Sequence, residues 1–122
     1  LKLIRKKALM IKINVITNNS KWLKYIKYPN NYLNRRIKKI NFKEKELKKN
    51  KIYFSLLLSG DKEIKYLNKK FRKKNSTTDV LSFPFLTKKE LKKKFRKKKE
   101  IYLGDIIINL SKIKKKKPRF FL

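Results

Sequence analysis

Five cationic side chains, those of Arg72 and four lysines, are grouped near the middle of the sequence. The lysines are Lys69, Lys70, Lys73 and Lys74. An arginine can hold a phosphate through two parallel N–H···O bonds, whereas a lysine offers a single point charge. Such a group can bind a phosphate-bearing ligand, with Arg72 as the specific contact. The residues alone nevertheless favour the other interpretation, that Arg72 only complements the negative end of a helix dipole.

An amphipathic helix is needed to present these cations. Ile64, Leu67 and Phe71 follow one another at positions i, i+3 and i+7, which places them on one helical face. Asp61 and Glu63 fall in the first turn and the cations in the last, so charges of both signs complement the helix dipole. The pattern predicts a helix whose cationic end is held against an apolar partner.

A polar turn and a short strand are predicted next. Residues 75–79 are polar, and residues 80–85 are mostly apolar. Pro84 has no N–H to donate to a neighbouring strand, so these residues are expected to form an edge strand or a strand end. Three polar side chains are expected to fix this turn and strand rather than to do chemistry: Thr78, Asp79 and Ser82.

Two ordered blocks of residues resemble the central segment of the YbeY family, bacterial endoribonucleases of rRNA maturation that are zinc metalloproteins. The first block contains Asp61, Glu63, Ile64, Leu67, Asn68, Phe71, Arg72, Thr78, Asp79, Val80, Leu81, Ser82, Phe83, Pro84 and Phe85. The second block contains Leu103, Gly104, Asp105 and Ile106. The resemblance covers residues 10–111 of the chain.

The resemblance implies both a fold and a function. The expected fold is α/β, a mixed sheet of about four strands with packed helices, as in the front part of a zincin-like metalloprotein fold. The expected function is single-strand-specific RNA cleavage in rRNA processing and ribosome quality control. It implies zinc as cofactor and the rRNA of the small ribosomal subunit as partner, in the cytoplasm. By resemblance, Arg72 holds the substrate phosphate near the metal, the lysines beside it contact RNA, and Asp105 is structural.

The residues that would complete the family's zinc site are missing from the sequence. In the family they form the motif His-Gly-x-Leu-His-Leu-x-Gly-x-Asp-His, whereas this chain has no histidine and no cysteine. Its eight carboxylates show no calcium-loop spacing. We therefore predict no metal site in this chain alone and expect the chain as given to be inactive. Two alternatives to an enzyme are a non-catalytic basic module that binds RNA or the ribosome, and a non-functional fragment.

The composition points to a polyanionic partner. The formal net charge is +31, with 39 Lys and Arg residues among 122, and such a surface favours RNA. The alternative is that the lysine excess reflects the codon bias of an AT-rich genome. No apolar run reaches the roughly 18 residues that span a membrane. Residues 1–16 lack the uninterrupted apolar core and cleavage site of a signal peptide. We expect neither a membrane nor DNA as partner.

The first half of the chain predicts two strands and a helix. Residues 10–16 alternate between apolar and polar, and residues 52–58 are almost continuously apolar, as in a strand covered on both faces. A helix is expected to begin near Pro29, because apolar residues then recur at i, i+4 and i+7. The aromatic cluster at 22–26 is interpreted as core with snorkelling lysines, and base stacking is the alternative.

The second half contains one segment whose secondary structure the sequence pattern does not decide. Residues 87–100 are crowded with lysines, whose mutual repulsion favours a solvated, mobile connection. Thr87 and Glu90 nevertheless have capping-box spacing, so a basic RNA-contacting helix is the alternative. Residues 101–110 predict a buried strand, with Gly104 at a bulge or close approach. The one aspartate in this strand needs a hydrogen-bond partner.

One domain is predicted, spanning residues 10–111 and lacking the zinc-binding helices of the family. Residues 1–9 precede the only methionine, Met10, and are interpreted as an upstream extension. Residues 112–122 form a basic tail with a lysine run. We interpret this run as an adenine tract at which the reading frame has shifted.

Overall fold

A mixed four-stranded sheet is the centre of the computed structural model, which describes residues 10–39, 50–97 and 100–116. The strands are β1 (Met10–Thr17), β2 (Lys51–Ser59), β3 (Val80–Pro84) and β4 (Ile101–Asn109). They lie side by side in the order β1-β2-β4-β3. β1, β2 and β4 are parallel, and β3 runs antiparallel to β4 at the edge. The predicted α/β fold with a mixed four-stranded sheet is confirmed.

Helices connect the strands and lie on both faces of the sheet. They are a 3-10 helix (Ser20–Lys24), α1 (Pro29–Ile37), α2 (Asp61–Arg72), α3 (Lys88–Arg96) and α4 (Leu110–Lys116). Within the described ranges, no helix combines the length and the apolar character needed to cross a membrane. The predicted extension at 1–9 and the end of the predicted tail, 117–122, lie outside the described residues.

One face of the sheet carries the main hydrophobic cluster. Trp22 and Ile26 belong to this cluster together with side chains of β1 and β2. Trp22 is 1% exposed, and its Nε1 donates a hydrogen bond to the Ser59 carbonyl at 2.7 Å. The aromatic cluster is therefore core, as predicted, and its indole N–H is satisfied.

Among the described residues, α2 covers the opposite face of the sheet near the carboxyl ends of the parallel strands. Ile64, on α2, is fully buried in a second cluster with Leu81 and Ile107. Burying one such side chain contributes about 1.5–3 kcal/mol, so this contact fixes α2 on the sheet. Phe71 lies on the same helical face, as predicted, and its ring meets Phe83 beside this cluster, but 58% of it remains exposed.

An asparagine of α1 covers the outer edge of β1. Asn34 Oδ1 accepts a hydrogen bond from the Ile13 N–H at 2.8 Å, and Asn34 Nδ2 donates to the Ile13 carbonyl at 2.9 Å. β1 is the last strand on its side of the sheet. The side-chain amide therefore takes the place of a further strand, which blocks an edge that would otherwise be open to aggregation.

Gly104 lies where β3 and β4 approach most closely. Its φ is 134°, and an added Cβ would lie 2.3 Å from the Phe83 carbonyl oxygen. The β2–β4 register also shifts at this level, between Tyr53 and Ser55. The predicted bulge with close backbone approach is therefore confirmed, and only glycine fits there.

The segment after β3 is a helix, so the favoured prediction of a solvated connection was wrong. Thr87 Oγ1 accepts from the Glu90 N–H at 3.1 Å, and Glu90 Oε1 accepts from the Thr87 N–H at 3.1 Å. This reciprocal capping box begins α3. The predicted tail also starts as a helix, because α4 follows β4 without a break.

Candidate nucleic-acid interface

The C-terminal end of α2 carries the predicted cations. Lys69, Lys70 and Arg72 lie in its last turn, and Lys73 and Lys74 follow directly. All five side chains are exposed. The negative end of the helix dipole lies at the same place and is complemented by these charges. The structure therefore brings the five predicted site residues to one position, called the cationic helix end below.

Carboxylates do not neutralise the cationic helix end within the described part of the chain. The ion pair among the described residues lies elsewhere in the fold. It joins Lys51 Nζ, at the start of β2, to Glu100 Oε1 at 3.8 Å. Lys70 Nζ lies over aromatic rings instead, 5.4 Å from the Phe71 centroid and 5.8 Å from the Tyr66 centroid. Positive charge that is not paired internally attracts phosphate. The arrangement suits binding of a polyanion.

Asn68 fastens the cationic helix end to the turn that follows it. Its side chain is buried, and its Nδ2 donates to the Ser76 carbonyl at 2.8 Å. Its backbone carbonyl accepts the N–H of Lys74 at 3.2 Å. Lys73 adopts the left-handed conformation with φ 55° and ψ 29°, which reverses the chain. The cations are therefore presented on a hydrogen-bonded turn.

Asn109 links the other end of α2 to the same turn. It is fully buried, and its Nδ2 donates to Asp61 Oδ1 at 2.6 Å and to Thr77 Oγ1 at 2.9 Å. The Thr78 carbonyl lies 3.1 Å from the same nitrogen, and Asn109 Oδ1 accepts from the Ser111 N–H at 3.1 Å. One side-chain amide thus joins the end of β4, the start of α2 and the turn before β3.

The pKa of Asp61 is lowered from its ordinary value of 3.8 by this network. The hydrogen bond from Asn109 is the main cause, and burial, the next-largest influence, acts in the opposite direction. Hydrogen bonds from Thr77 and Ser111 and the charge of Lys112 lower the pKa further. Asp61 is therefore an ionised acceptor that holds the helix in position.

The residues of this chain do not fit the zinc ion that the family resemblance implies. Glu63 Oε1 accepts from Ser59 Oγ at 2.6 Å and from Asn18 Nδ2 at 3.1 Å, and Asp61 is engaged by Asn109. Among the described residues, no group of three or more His, Cys, Asp or Glu side chains is placed to hold a metal. The sequence contains neither His nor Cys, the usual zinc ligands.

An open cleft of about 470 Å³ lies beside the start of α2, lined in part by Asn18, Ser59 and Glu63. α2 has 12 residues, so its two ends are about 18 Å apart. Arg72 is in the last turn. The cleft and the cationic helix end are therefore separate places and do not form one site.

Asp105, for which we expected a hydrogen-bond partner, is bound by the Tyr102 side chain. The Tyr102 hydroxyl donates to Asp105 Oδ1 and lies 2.8 Å from Ser55 Oγ. Burial raises the pKa of Tyr102, and the hydrogen bond to Asp105 raises it further. The strand prediction is confirmed, and the Asp105 carboxyl has its hydrogen-bond partner on the same strand.

Sequence reasoning did not anticipate the aromatic side chains on the uncovered part of the sheet. Tyr53 lies next to Tyr102 on neighbouring strands, and Phe85 follows the end of β3. The sequence of β2 carries no sufficient signal, because the alternate position of Tyr53 fits an exposed side chain and a strand covered on both faces equally well. Which face stays open depends on helix placement, which the pattern alone does not give.

The fold and the exposed cations, which pair with no carboxylate among the described residues, define a basic α/β protein with a cationic helix end. A family model described as Endoribonuclease YbeY matches residues 15–120. A Pelagibacter ubique protein named Endoribonuclease YbeY is 46% identical over 108 residues, which cover 88% of this chain and 66% of that protein. A Wolbachia protein of the same name is 32% identical over 115 residues, 93% of this chain and 67% of its own length.

The chain belongs to the YbeY family. A third relative of that name, from Thermodesulfovibrio yellowstonii, is 40% identical over 62 residues, which are 51% of this chain and 35% of that protein. The matched part of the chain thus spans between about one third and two thirds of the length of these curated relatives.

Proposed function

We propose that this chain is the RNA-engaging part of a single-strand-specific endoribonuclease that acts on rRNA during processing and ribosome quality control. Its relatives are named endoribonucleases, and RNA is the polyanion that such an enzyme must hold. The observation that carries the proposal is the cationic helix end, which no carboxylate among the described residues neutralises. By resemblance, Arg72 stands at the position of the family's motif arginine. The expected location is the cytoplasm, and the expected partner is the small ribosomal subunit.

Arg72 is proposed to hold the phosphate next to the cleaved bond. Its planar guanidinium can engage two phosphate oxygens at once, which fixes the phosphate in orientation as well as in position. Lys69, Lys70, Lys73 and Lys74 are proposed to contact neighbouring phosphates as point charges. Their attachment to a hydrogen-bonded turn supports a defined path for the RNA backbone.

Zinc is proposed as the cofactor of the complete enzyme, with ligands that are not among these 122 residues. Bound zinc would supply an activated water and charge stabilisation at phosphate. This chain contributes substrate binding and orientation only. We therefore propose that the chain alone binds single-stranded RNA but does not cleave it.

The test compares the purified chain with a chimera that also carries the remaining part of the Pelagibacter ubique relative. Both proteins are incubated with labelled single-stranded and duplex rRNA fragments, with zinc added or with a chelator. We expect zinc-dependent cleavage of the single strand by the chimera, loss of cleavage in its Arg72→Ala variant, and no cleavage by the chain alone. Arg72-dependent cleavage by the chain alone would show that our account of the metal site is wrong.

A second candidate function is a non-catalytic module that binds RNA or the ribosome. The lack of His and Cys, together with the unpaired cations, favours it. The same experiment separates the two candidates. A chimera that binds zinc and rRNA but leaves the RNA intact would support the non-catalytic module.

A further inference from the structure

A row of aromatic rings crosses the part of the sheet that α2 leaves uncovered. Tyr53 on β2 and Tyr102 on β4 are register partners, and their ring centroids are 5.3 Å apart. The Phe85 ring contacts Tyr102 edge-to-face at 5.8 Å. Lys12 on β1 is the register partner of Tyr53 and ends the row on the other side. The order across the sheet is therefore cation, ring, ring, ring.

The outer rings of this row are exposed to solvent. Phe85 is 67% exposed and Tyr53 is 36% exposed. Phe85 is not on a loose segment, because its N–H donates to the Leu103 carbonyl at 3.0 Å and extends the pairing of β3 with β4. The hydrogen bond from its hydroxyl to Asp105 fixes the position of the Tyr102 ring. Large rings held rigidly in water offer flat surfaces for another aromatic group.

The aromatic row lies on the same side of the sheet as the cationic helix end. Phe71 directly precedes Arg72, and its ring meets Phe83 edge-to-face at 5.4 Å. Phe83 in turn is the register partner of Asp105, which accepts a hydrogen bond from Tyr102 of the aromatic row. The path along the sheet from Arg72 to Phe85 therefore runs past the Phe71–Phe83 contact at the edge strand.

We propose that this row, called the stacking row below, binds the bases of single-stranded RNA, with Phe85 and Tyr53 as the stacking surfaces. The inference rests on the proposed function, because it takes the phosphate held by Arg72 as the starting point of the strand. Charge complementarity selects this occupant, since the net charge of +31 disfavours cationic partners and attracts a polyanion. Bases supply the aromatic faces that such rings accept whatever the sequence.

The size of the stacking row sets how much RNA it holds. Four strands are separated by three gaps of about 4.8 Å, so the row extends roughly 14 Å across the sheet. This is enough for two or three bases, as on other sheet surfaces that bind single strands. Lys12 then contacts a phosphate at the end far from Arg72. Duplex RNA is excluded, because its bases are stacked on one another and cannot reach the rings.

The test measures fluorescence anisotropy of two labelled oligonucleotides with the full 122-residue chain in the presence of a chelator, which prevents metal-dependent cleavage. One is an oligouridine of about 12 nucleotides, and the other has the same length and charge but abasic spacers. We expect Phe85→Ala and Tyr53→Ala each to weaken oligouridine binding about tenfold and to leave the abasic strand unaffected. Phe85→Tyr should retain wild-type binding.

Tyr28→Ala is the matched control, since Tyr28 is also exposed and also lies beside a lysine, but at the start of α1. It should leave both affinities unchanged. Equal loss for both oligonucleotides, or no preference of the wild type for the base-bearing strand, overturns the stacking proposal. Neither result bears on cleavage by the chimera, so failure of the stacking proposal can be distinguished from failure of the proposed function.

A measurement on the unmodified chain guards against variants that do not fold. A 4-thiouridine oligonucleotide is photocrosslinked to the wild type, and the attachment sites are mapped after trypsin digestion. We expect crosslinks in the peptides containing Tyr53 and Phe85 and none in the peptide containing Tyr28. If another protein segment covers the stacking row, these peptides stay unlabelled while the peptides around Arg72 crosslink, and the proposal is overturned.

Discussion

The buried Nδ2 of Asn109 lies 2.6 Å from Asp61 Oδ1, although the two residues are 48 positions apart. This hydrogen bond joins the end of β4 to the first turn of α2, the helix that carries Arg72 at its other end. The same amide nitrogen also reaches Thr77 Oγ1. The position of the proposed RNA site therefore depends on a polar contact at the opposite end of its helix.

Replacing Asn109 with alanine should destabilise the protein by about 1–3 kcal/mol, because several buried partners lose their hydrogen bond at once. The measurement is urea unfolding followed by circular dichroism. Asn75→Ala, in the exposed part of the same turn, is the control and should stay within about 0.5 kcal/mol of the wild type. Similar losses in the two variants would show that the amide network does not stabilise the fold.

The pH dependence of stability should carry the signature of Asp61. Its pKa is lower in the folded state than its ordinary value of 3.8, so the folded state favours the ionised carboxylate. The resulting stabilisation is present above that ordinary value and is lost as the pH falls through the lower, folded-state pKa. We expect Asp61→Asn to unfold at a lower temperature than the wild type at neutral pH, with a difference that shrinks below about pH 4.

The Asn109→Ala background provides the control for this pH effect. Asn109 is the main cause of the lowered pKa of Asp61. In that background, Asp61→Asn should therefore change the acid dependence of the unfolding temperature much less. An acid dependence that is the same in both backgrounds would show that the hydrogen bond between the two side chains is not its origin.

The sheet and α2 were predictable because their residues follow local periodicities. Alternation along β1 and helical spacing of Ile64 and Leu67 both reflect burial against a neighbour, and each is visible within a few turns of sequence. The capping box of α3 is visible in the sequence too, and it outweighs the repulsion among the lysines of that helix. Like-charge pairs on a helix cost only about 0.2–0.5 kcal/mol each, whereas a cap contributes about 1 kcal/mol.

The polar network and the stacking row were not predictable, because both depend on distant parts of the chain. Asn109 reads as the polar end of an apolar strand until Asp61 and Thr77 are brought beside it. Tyr53 reads as buried because its neighbours are apolar. Its exposure follows from α2 covering only one end of that face of the sheet. No local pattern records how far a helix extends over a sheet.

Lys73→Gly should stabilise the protein despite the loss of a side chain. Lys73 has φ 55°, a left-handed conformation that costs a non-glycine residue roughly 1–2 kcal/mol. Glycine adopts it without this cost but loses more backbone entropy on folding. We expect Lys73→Gly to exceed Lys73→Ala in stability by about 1 kcal/mol in urea unfolding. Equal stabilities would argue against a left-handed residue at this position in solution.

Removing the side-chain amide of Asn34 should open the outer edge of β1. Asn34→Ala deletes both hydrogen bonds to Ile13 and should cost about 1–3 kcal/mol, because it leaves backbone groups unpaired. We also expect faster aggregation on mild heating, measured by light scattering, since the exposed edge can pair with another chain. Asn31→Ala, exposed on the same helix, is the control and should do neither.

Arg72→Lys and Arg72→Ala should separate charge from geometry at the cationic helix end. Both variants keep the fold, because Arg72 is exposed and forms no ion pair with a described residue. Lysine preserves the charge, so the dependence of RNA affinity on salt should stay as in the wild type. Alanine should reduce the slope of log affinity against log salt by about 0.7, the value for one phosphate contact on a single strand.

The chimera supplies the second half of this comparison. If Arg72 orients a phosphate through two hydrogen bonds, lysine cannot replace it, and Arg72→Lys should lose cleavage while it keeps RNA affinity and salt slope. Lys62→Ala, an exposed cation in the first turn of α2, is the control and should retain cleavage. Full cleavage by Arg72→Lys would mean that the residue acts by charge alone, and unchanged salt dependence in Arg72→Ala would mean that it does not contact RNA.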